Sequence, residues 1–284
     1  MNAANLAEGV SPSAAQALRD AAQRLSAVSD TARLDAELLM AHAAGLSREE
    51  LILRLRDLPV PDGFAGLVDR RMQQEPVSHI TGTRDFWTLT LRVSSHVLTP
   101  RPDSETLIEA AVEHYAGTAG PHRVLDLGTG SGALLLASLD EWRGATGLGV
   151  DISAQALIVA RNNARLCGME ERAQFRPGNW CDGIAERFDL ILANPPYITP
   201  HALLPRDVME YEPHVALFGG EDGLDAYRDI AASLANVMTD SSIALMEIGF
   251  DQGQSAADLF TAHGFSATLR RDMAGRARCL ILRR

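Results

Sequence analysis

The chain contains no lysine; all 26 of its basic residues are arginine. Arginine solvates a surface as lysine does, so the bias says little about the fold. Its consequence is chemical. No lysine can form a Schiff base, and none can reach a nucleotide phosphate from a P-loop. Cysteine is nearly as scarce. Cys167, Cys181 and Cys279 are odd in number and widely spaced, with no C-x-x-C pair, which excludes a disulfide framework. Each reads as a small core residue rather than a nucleophile. The eight histidines show neither HxxxH nor HExxH spacing, so no metal site is expected. No apolar run approaches the roughly 20 residues that span a bilayer. The first ten residues lack the basic-then-apolar pattern of a secretory signal. The expectation is a cytoplasmic protein without membrane attachment. Positive charge is also in deficit, 26 basic residues against 37 acidic, a net −11. A protein that grips long duplex DNA usually shows a basic surface, so the balance argues against that partner while leaving room for a local basic patch.

What is present suits one or two globular domains: 284 residues, 46% hydrophobic and 22% charged. That is enough to bury a real core and excludes a disordered or collagen-like chain. Residues 12–75 read as a small helical bundle. Ala15, Leu18, Ala22 and Leu25 recur at helical spacing, as do Leu34, Leu38 and Ala41. Asp30 and Thr31 are candidate caps, Gly45 a stop, and Ser47 with Glu50 a capping box. After Pro59 and Pro61, the residues Phe64, Leu67, Val68 and Arg71 resume the pattern. Residues 78–98, with Phe86, Trp87, Leu89, Leu91 and Val93, read as a β-hairpin or extended connector.

Strands and helices then alternate. Strands are expected at 124–127, 146–152, 174–176, 188–193, 243–248, 266–271 and 277–283. Helices are expected at 132–141, 153–166, 222–237 and 252–263. Near-continuous apolar strands between helices mean an α/β, mostly parallel, seven-stranded sheet covered on both faces. The last two strands, joined by a short turn around Gly275, must be antiparallel, because a parallel crossover needs a dozen or more residues.

Three segments at the ends of these strands carry chemistry. Val124-Leu125-Asp126-Leu127 leads into Gly128-Thr129-Gly130-Ser131-Gly132, a strand ending in a glycine turn that opens a helix. Glycines let backbone approach a ligand closely, although a purely structural turn has the same composition. Asp151 ends the next strand and can accept both hydroxyls of a ribose; it is equally placed to cap the following helix. Asn194-Pro195-Pro196-Tyr197 directly follows the strand at 188–193. Consecutive prolines fix φ and donate no backbone hydrogen bonds, leaving a stiff loop with free carbonyls, an amide and a flat ring. An ordinary strand-ending turn is the competing reading, and the glycine turn and Asp151 before it count against that.

Together these segments resemble class I S-adenosylmethionine-dependent methyltransferases that alkylate a planar nitrogen. The loop motif serves adenine amino groups and glutamine amides alike. The rest of the chain is similar to the release-factor glutamine methyltransferases, the PrmC/HemK family. The similar pieces are Gly82 through Trp87, Val97 through Glu105, Glu212-Pro213, Ala216-Leu217, Asp222-Gly223-Leu224, Glu247-Ile248-Gly249 and Gln252-Gly253. The resemblance implies a Rossmann-like methyltransferase domain at 99–284, a hairpin connector at 78–98, and a helical substrate-recognition domain at 1–77. It implies that Gly128, Thr129, Gly130, Ser131 and Gly132 hold the methionine part of the cofactor, with Asp126 supporting the turn. Asp151 would bind the ribose, and Trp180 would lie near the adenine. Asn194 would touch cofactor and substrate, and Asn194, Pro195, Pro196 and Tyr197 would form the catalytic glutamine pocket. The family commonly has Asp where Asn179 stands here, a change that tunes adenine affinity.

Arg101 and Glu105 border this region; for Arg101 a salt bridge holding the connector is the competing role. Trp87 reads as packing. The implied reaction is methylation of the glutamine of a GGQ motif in peptide-chain release factors, by a monomer with no direct nucleic-acid contact. The competing substrates are a ribosomal-protein glutamine and an adenine amino group of nucleic acid. A non-catalytic adaptor is a further alternative, against which the intact loop and glycine turn count.

Overall fold

The protein is described by a computed structural model covering residues 13–272 and 274–284. Pro12, the first residue of the expected bundle, lies outside the described residues. The chain divides after Thr81 into two compact units.

The first unit holds helices α1 (Ala14–Leu25), α2 (Ala32–Ala44), α3 (Arg48–Arg54), α4 (Phe64–Met72) and α5 (Val77–Thr81). Ser13 caps α1 by accepting the Gln16 amide, Gly45 ends α2 with φ 65°, and Ser47 with Glu50 forms the reciprocal capping box of α3. Thr31 stands at the N-cap of α2, but its side chain does not cap the helix. It donates instead to the Asp35 side chain at 2.9 Å. The buried face of α2 differs from the expected stripe. Leu34 is exposed, while Ala36, Leu39 and Met40 are buried with Leu18, Leu25, Leu51, Phe64 and Val68. The reason is ionic. Arg71 draws Asp35 inward at 2.8 Å, and Arg33 and Arg48 hold buried Glu37, so two acids share the buried face with Ala41, the one member of the expected stripe that is buried.

Residues 77–81 are helical, so the connector starts later than its composition suggested. The second unit opens with an antiparallel hairpin of β1 (Thr83–Phe86) and β2 (Leu89–Arg92). There follow α6 (Glu105–His114), β3 (Arg123–Leu127), α7 (Ala133–Glu141), β4 (Thr146–Asp151), α8 (Ala154–Leu166), β5 (Ala173–Pro177) and β6 (Phe188–Ala193). The chain continues through α9 (Arg206–Tyr211), α10 (Asp225–Val237), β7 (Met238–Glu247), α11 (Gly253–Ala262), β8 (Ser266–Arg271) and β9 (Ala277–Arg283). The seven strands from β3 to β9 form one sheet in the order β5-β4-β3-β6-β7-β9-β8. All pairings are parallel except those of β9, which is antiparallel to both neighbours.

Alternation along the strands feeds two apolar cores. Leu190 and Leu192 of β6 join Leu107, Leu135 and Leu139 on one face; Ile191 and Ala193 join Tyr227, Ile230 and Phe260 on the other. The order reverses between β3 and β6, the place where ligands bind in open α/β sheets. The register pairs Leu127 with Ala193, so the glycine turn and the Asn194 loop leave adjacent strand ends. No helix among the described residues is long and apolar enough to cross a membrane.

Candidate active site

The glycine turn is held from three directions. The amides of Gly128 and Thr129 both donate to the Val150 carbonyl of β4, at 2.8 and 3.0 Å. The Gly130 amide donates to Asp151 at 2.8 Å. From α8, fully buried Asn163 donates to the Ser131 carbonyl at 2.9 Å and pairs with both backbone groups of Arg92. One side chain thus ties the hairpin to the turn. Gly128 has φ 69°, and a Cβ there would stand 3.2 Å from the Trp180 ring. Gly130 has φ 55° and meets only the Gly128 carbonyl at 3.9 Å, so a Cβ would project into open space.

That space is a cavity of about 340 Å³ lined by Gly128, Thr129, Gly130, Ser131, Asp126, Asp151, Trp180, Asn194 and Pro196, among others. Gly132 is not among the lining residues; it caps α7. Asp151 is not the side-chain cap of α8, because Ser153 takes that role by accepting the Ala156 amide. Asp151 instead accepts the amides of Gly130 and Ser153 and borders the cavity, with lone pairs to spare for hydroxyls. Trp180 sits at φ 49°, a left-handed conformation uncommon outside glycine.

A second cavity of about 160 Å³ is lined by Arg101, Tyr197, Ile198, Leu204, Val208 and Glu247, among others. Both cavities are bounded by Leu98, Asn194 and Ala216. Asn194 therefore faces two volumes. Tyr197 lines only the second and Pro196 only the first, while Pro195 is buried and lines neither. The loop is anchored by its neighbours. Ile198 pairs with Leu217 and Gly219 through backbone bonds of 2.9 Å, and Gln252 donates to the Tyr197 carbonyl at 3.1 Å.

The residues that sequence reasoning left without a role lie behind the loop. Asn194 Nδ2 donates to Ser104 Oγ at 3.1 Å, and Ser104 donates to Glu247 Oε2. Tyr197 donates its hydroxyl to Glu247 Oε1 at 3.3 Å. Burial pushes Glu247 up to about 7, against the pull of Ser104, Arg278 and Tyr197. The same burial, with Glu247 alongside, raises the Tyr197 phenol. An acid inside the otherwise apolar stretch 243–248 was the available signal for Glu247. Arg101 both borders the second cavity and pairs with Glu212 at 2.7 Å, so its two expected roles coexist. Glu105 lines neither cavity and accepts the Trp87 amide at 2.9 Å, holding the hairpin turn.

The first cavity fits S-adenosylmethionine. Asp126 is buried and burial raises it to about 7; one oxygen holds Thr129 at 2.6 Å, while Oδ1 has no partner. A buried orphan acceptor is costly, and an ammonium group is the partner that would offset it. Asp151, the open face of Gly130 and Trp180 offer an acid for hydroxyls, room for backbone and a flat surface.

Comparison with known proteins agrees with this arrangement. The family description "PrmC N-terminal domain" matches residues 16–82, and "Methyltransferase small domain" matches residues 103–209. The release factor glutamine methyltransferase of Rhodospirillum rubrum is 42% identical over 258 residues, covering 89% of this chain and 79% of the relative. That of Cereibacter sphaeroides is 40% identical over 277 residues, covering 95% and 98%. A methyltransferase structure from Pyrococcus furiosus shares the fold alone: TM-score 0.52, 14% identity, 68% of this chain and 87% of that one. With nearly full-length relatives at this identity, the chain belongs to the release factor glutamine methyltransferase family.

Proposed function

We propose that the protein methylates the side-chain amide nitrogen of a glutamine in peptide-chain release factors, the glutamine of their GGQ motif. The observation that carries this reading is the position of Asn194 on the boundary of both cavities. Cofactor occupies the larger volume and the glutamine side chain the smaller. S-adenosylmethionine, when bound, supplies a strongly electrophilic methyl group and leaves as S-adenosylhomocysteine.

The task left to the protein is orientation. An amide nitrogen is a weak nucleophile because its lone pair is delocalised. Asn194 Nδ2 is engaged by Ser104, which leaves Oδ1 as the acceptor of that side chain. Oδ1 accepts a hydrogen bond from the glutamine NH₂, aims its nitrogen, and stabilises the positive charge that develops there. The nitrogen sheds a proton as it gains the methyl group. No conventional general base is required, because that proton becomes acidic only as the new bond forms. Tyr197 walls the glutamine pocket.

The helical unit recognises the release factor. In support, among the described residues both cavities are lined only by residues from Phe86 onward, which leaves that unit free for the protein substrate. The net charge of −11 fits a protein substrate better than duplex nucleic acid. In this reading the enzyme works as a monomer in the cytoplasm. Mass spectrometry of a release factor after reaction with cofactor is the test. One methyl group on the GGQ glutamine is expected; transfer to nucleic acid, with none to release factor, would overturn the reading.

A further inference from the structure

Behind Asn194, Ser104 on the wall of the first cavity and Glu247 on the wall of the second form a chain of buried polar groups. Ser104 is 4% exposed and Glu247 is 1% exposed. A serine hydroxyl carries one proton. Ser104 gives it to Glu247, so it can meet Asn194 only as an acceptor, and Asn194 must turn an N–H toward it. The two ends of the amide are thereby told apart. Nδ2 is held inward and Oδ1 faces the acceptor side. We propose that Ser104 and Glu247 are positioning residues that fix the amide rotation of Asn194 for methyl transfer. The kinetic consequence rests on the proposed function; the geometric claim does not.

The charge of Glu247 decides the rotation. A protonated Glu247 can donate to Ser104. The Ser104 hydroxyl is then released to donate to Asn194 Oδ1, and the amide turns over. Its NH₂ would now face the substrate NH₂, two donors with no acceptor between them. Ionised Glu247 accepts from both Ser104 and Tyr197 and holds the productive arrangement.

The groups facing Glu247 come from four sides. Asp103 and Ser104 precede α6, and Tyr197 follows β6. Tyr227 of α10 donates to the Glu247 carbonyl at 2.9 Å. Arg278 and Cys279 lie on β9, where Cys279 is the register partner of Glu247. Burial and Asp103 raise Glu247, while Arg278 and the two hydroxyls lower it. The balance, about 7, places the change of orientation near neutrality.

The test is single-turnover methyl transfer at saturating cofactor and release factor across pH. It is joined by ¹⁵N spectra of the Asn194 side-chain amide in the full-length protein. In the wild type the rate should rise with pH to a plateau with a midpoint near 7. Ser104→Ala should lower the plateau about tenfold and abolish the pH limb. Glu247→Gln keeps an acceptor for Ser104 without titrating; its plateau should fall only about threefold and its limb should vanish. The Asn194 amide resonance should titrate in the wild type and stay flat in Glu247→Gln. A limb or titration that persists in Glu247→Gln overturns the proposal, as does a Ser104→Ala rate within about twofold of wild type. Should Ser104→Ala not fold, Glu247→Gln decides alone. A wild type inert toward release factor would sink the functional reading, and the amide resonance would still decide this one.

Discussion

Asp151 accepts the backbone amide of Gly130 at 2.8 Å, so the acid ending β4 and the middle glycine of the turn after β3 move as one piece. Its other oxygen holds Ser153 at 2.8 Å. Asp151→Ala removes both anchors and the acid that would meet a ribose. Isothermal titration with S-adenosylhomocysteine should show affinity reduced by at least about tenfold, because bonds to a charged acceptor are worth roughly 1.5–3 kcal/mol. Asp151→Asn, with one acceptor oxygen left, should fall between. A folded alanine variant with wild-type affinity would remove Asp151 from the cofactor site.

Gly130→Val places a branched side chain at φ 55° and points it into the larger cavity. Backbone strain at a left-handed position should cost about 1–2 kcal/mol of stability. The loss of S-adenosylhomocysteine affinity should be greater than that cost. Calorimetric titration beside a thermal melt separates the two. Stability lost with affinity intact would mean that the turn serves the fold alone.

Asn194→Ala deletes the acceptor proposed to aim the glutamine nitrogen. Losing one aligned group at a site of developing charge costs roughly 10²–10³ in rate. Methyl transfer in a single turnover should therefore slow at least about a hundredfold, while cofactor still binds measurably. A rate within a few-fold of wild type would make Asn194 a turn-forming residue.

Stability should depend on pH through Asp126. Its folded value is about 7 against 3.8 for the ordinary side chain. The folded chain thus holds this proton more tightly than the unfolded one. The resulting stability is complete below the ordinary value and is lost as pH rises through 7. Glu247 acts in the same sense. The urea midpoint of the ligand-free protein should fall between about pH 4 and about pH 7, and Asp126→Asn should reduce that slope. An unchanged slope in the variant would show that Asp126 does not titrate there.

In the helical unit, Arg71 and Asp35 form a buried pair, and Asp35 also accepts from Ser29 and Thr31. Arg71→Ala leaves a buried carboxylate without its cation and should cost about 3–5 kcal/mol in denaturant unfolding. Replacing both, with Arg71→Met and Asp35→Leu, should cost less. Equal losses would place the energy in packing rather than charge.

The sheet was legible because its strands are short apolar runs punctuated by glycine and proline. The expected strand 188–193 coincides with β6, and 266–271 and 277–283 coincide with β8 and β9. Where tertiary contacts overrule local pattern, the reading slipped. Strand β7 begins at Met238 rather than 243, because pairing with Phe188 extends it through polar residues. Helix α9 went unseen: its six residues include two ionic side chains paired across one turn and no buried ones. At the site, the residues on the cavity walls came from motifs whose spacing is local. Ser104 and Glu247 could not be joined from sequence alone, because they are far apart in the chain and meet only through the fold.

The boundary shared by the two cavities also bears on stereochemistry and inhibition. A methyl group that crosses directly between two volumes bounded by Leu98, Asn194 and Ala216 moves in one displacement. A chiral methyl would arrive inverted, and initial-velocity patterns would intersect rather than run parallel. An inhibitor spanning both volumes would need a linker that passes between Leu98, Asn194 and Ala216.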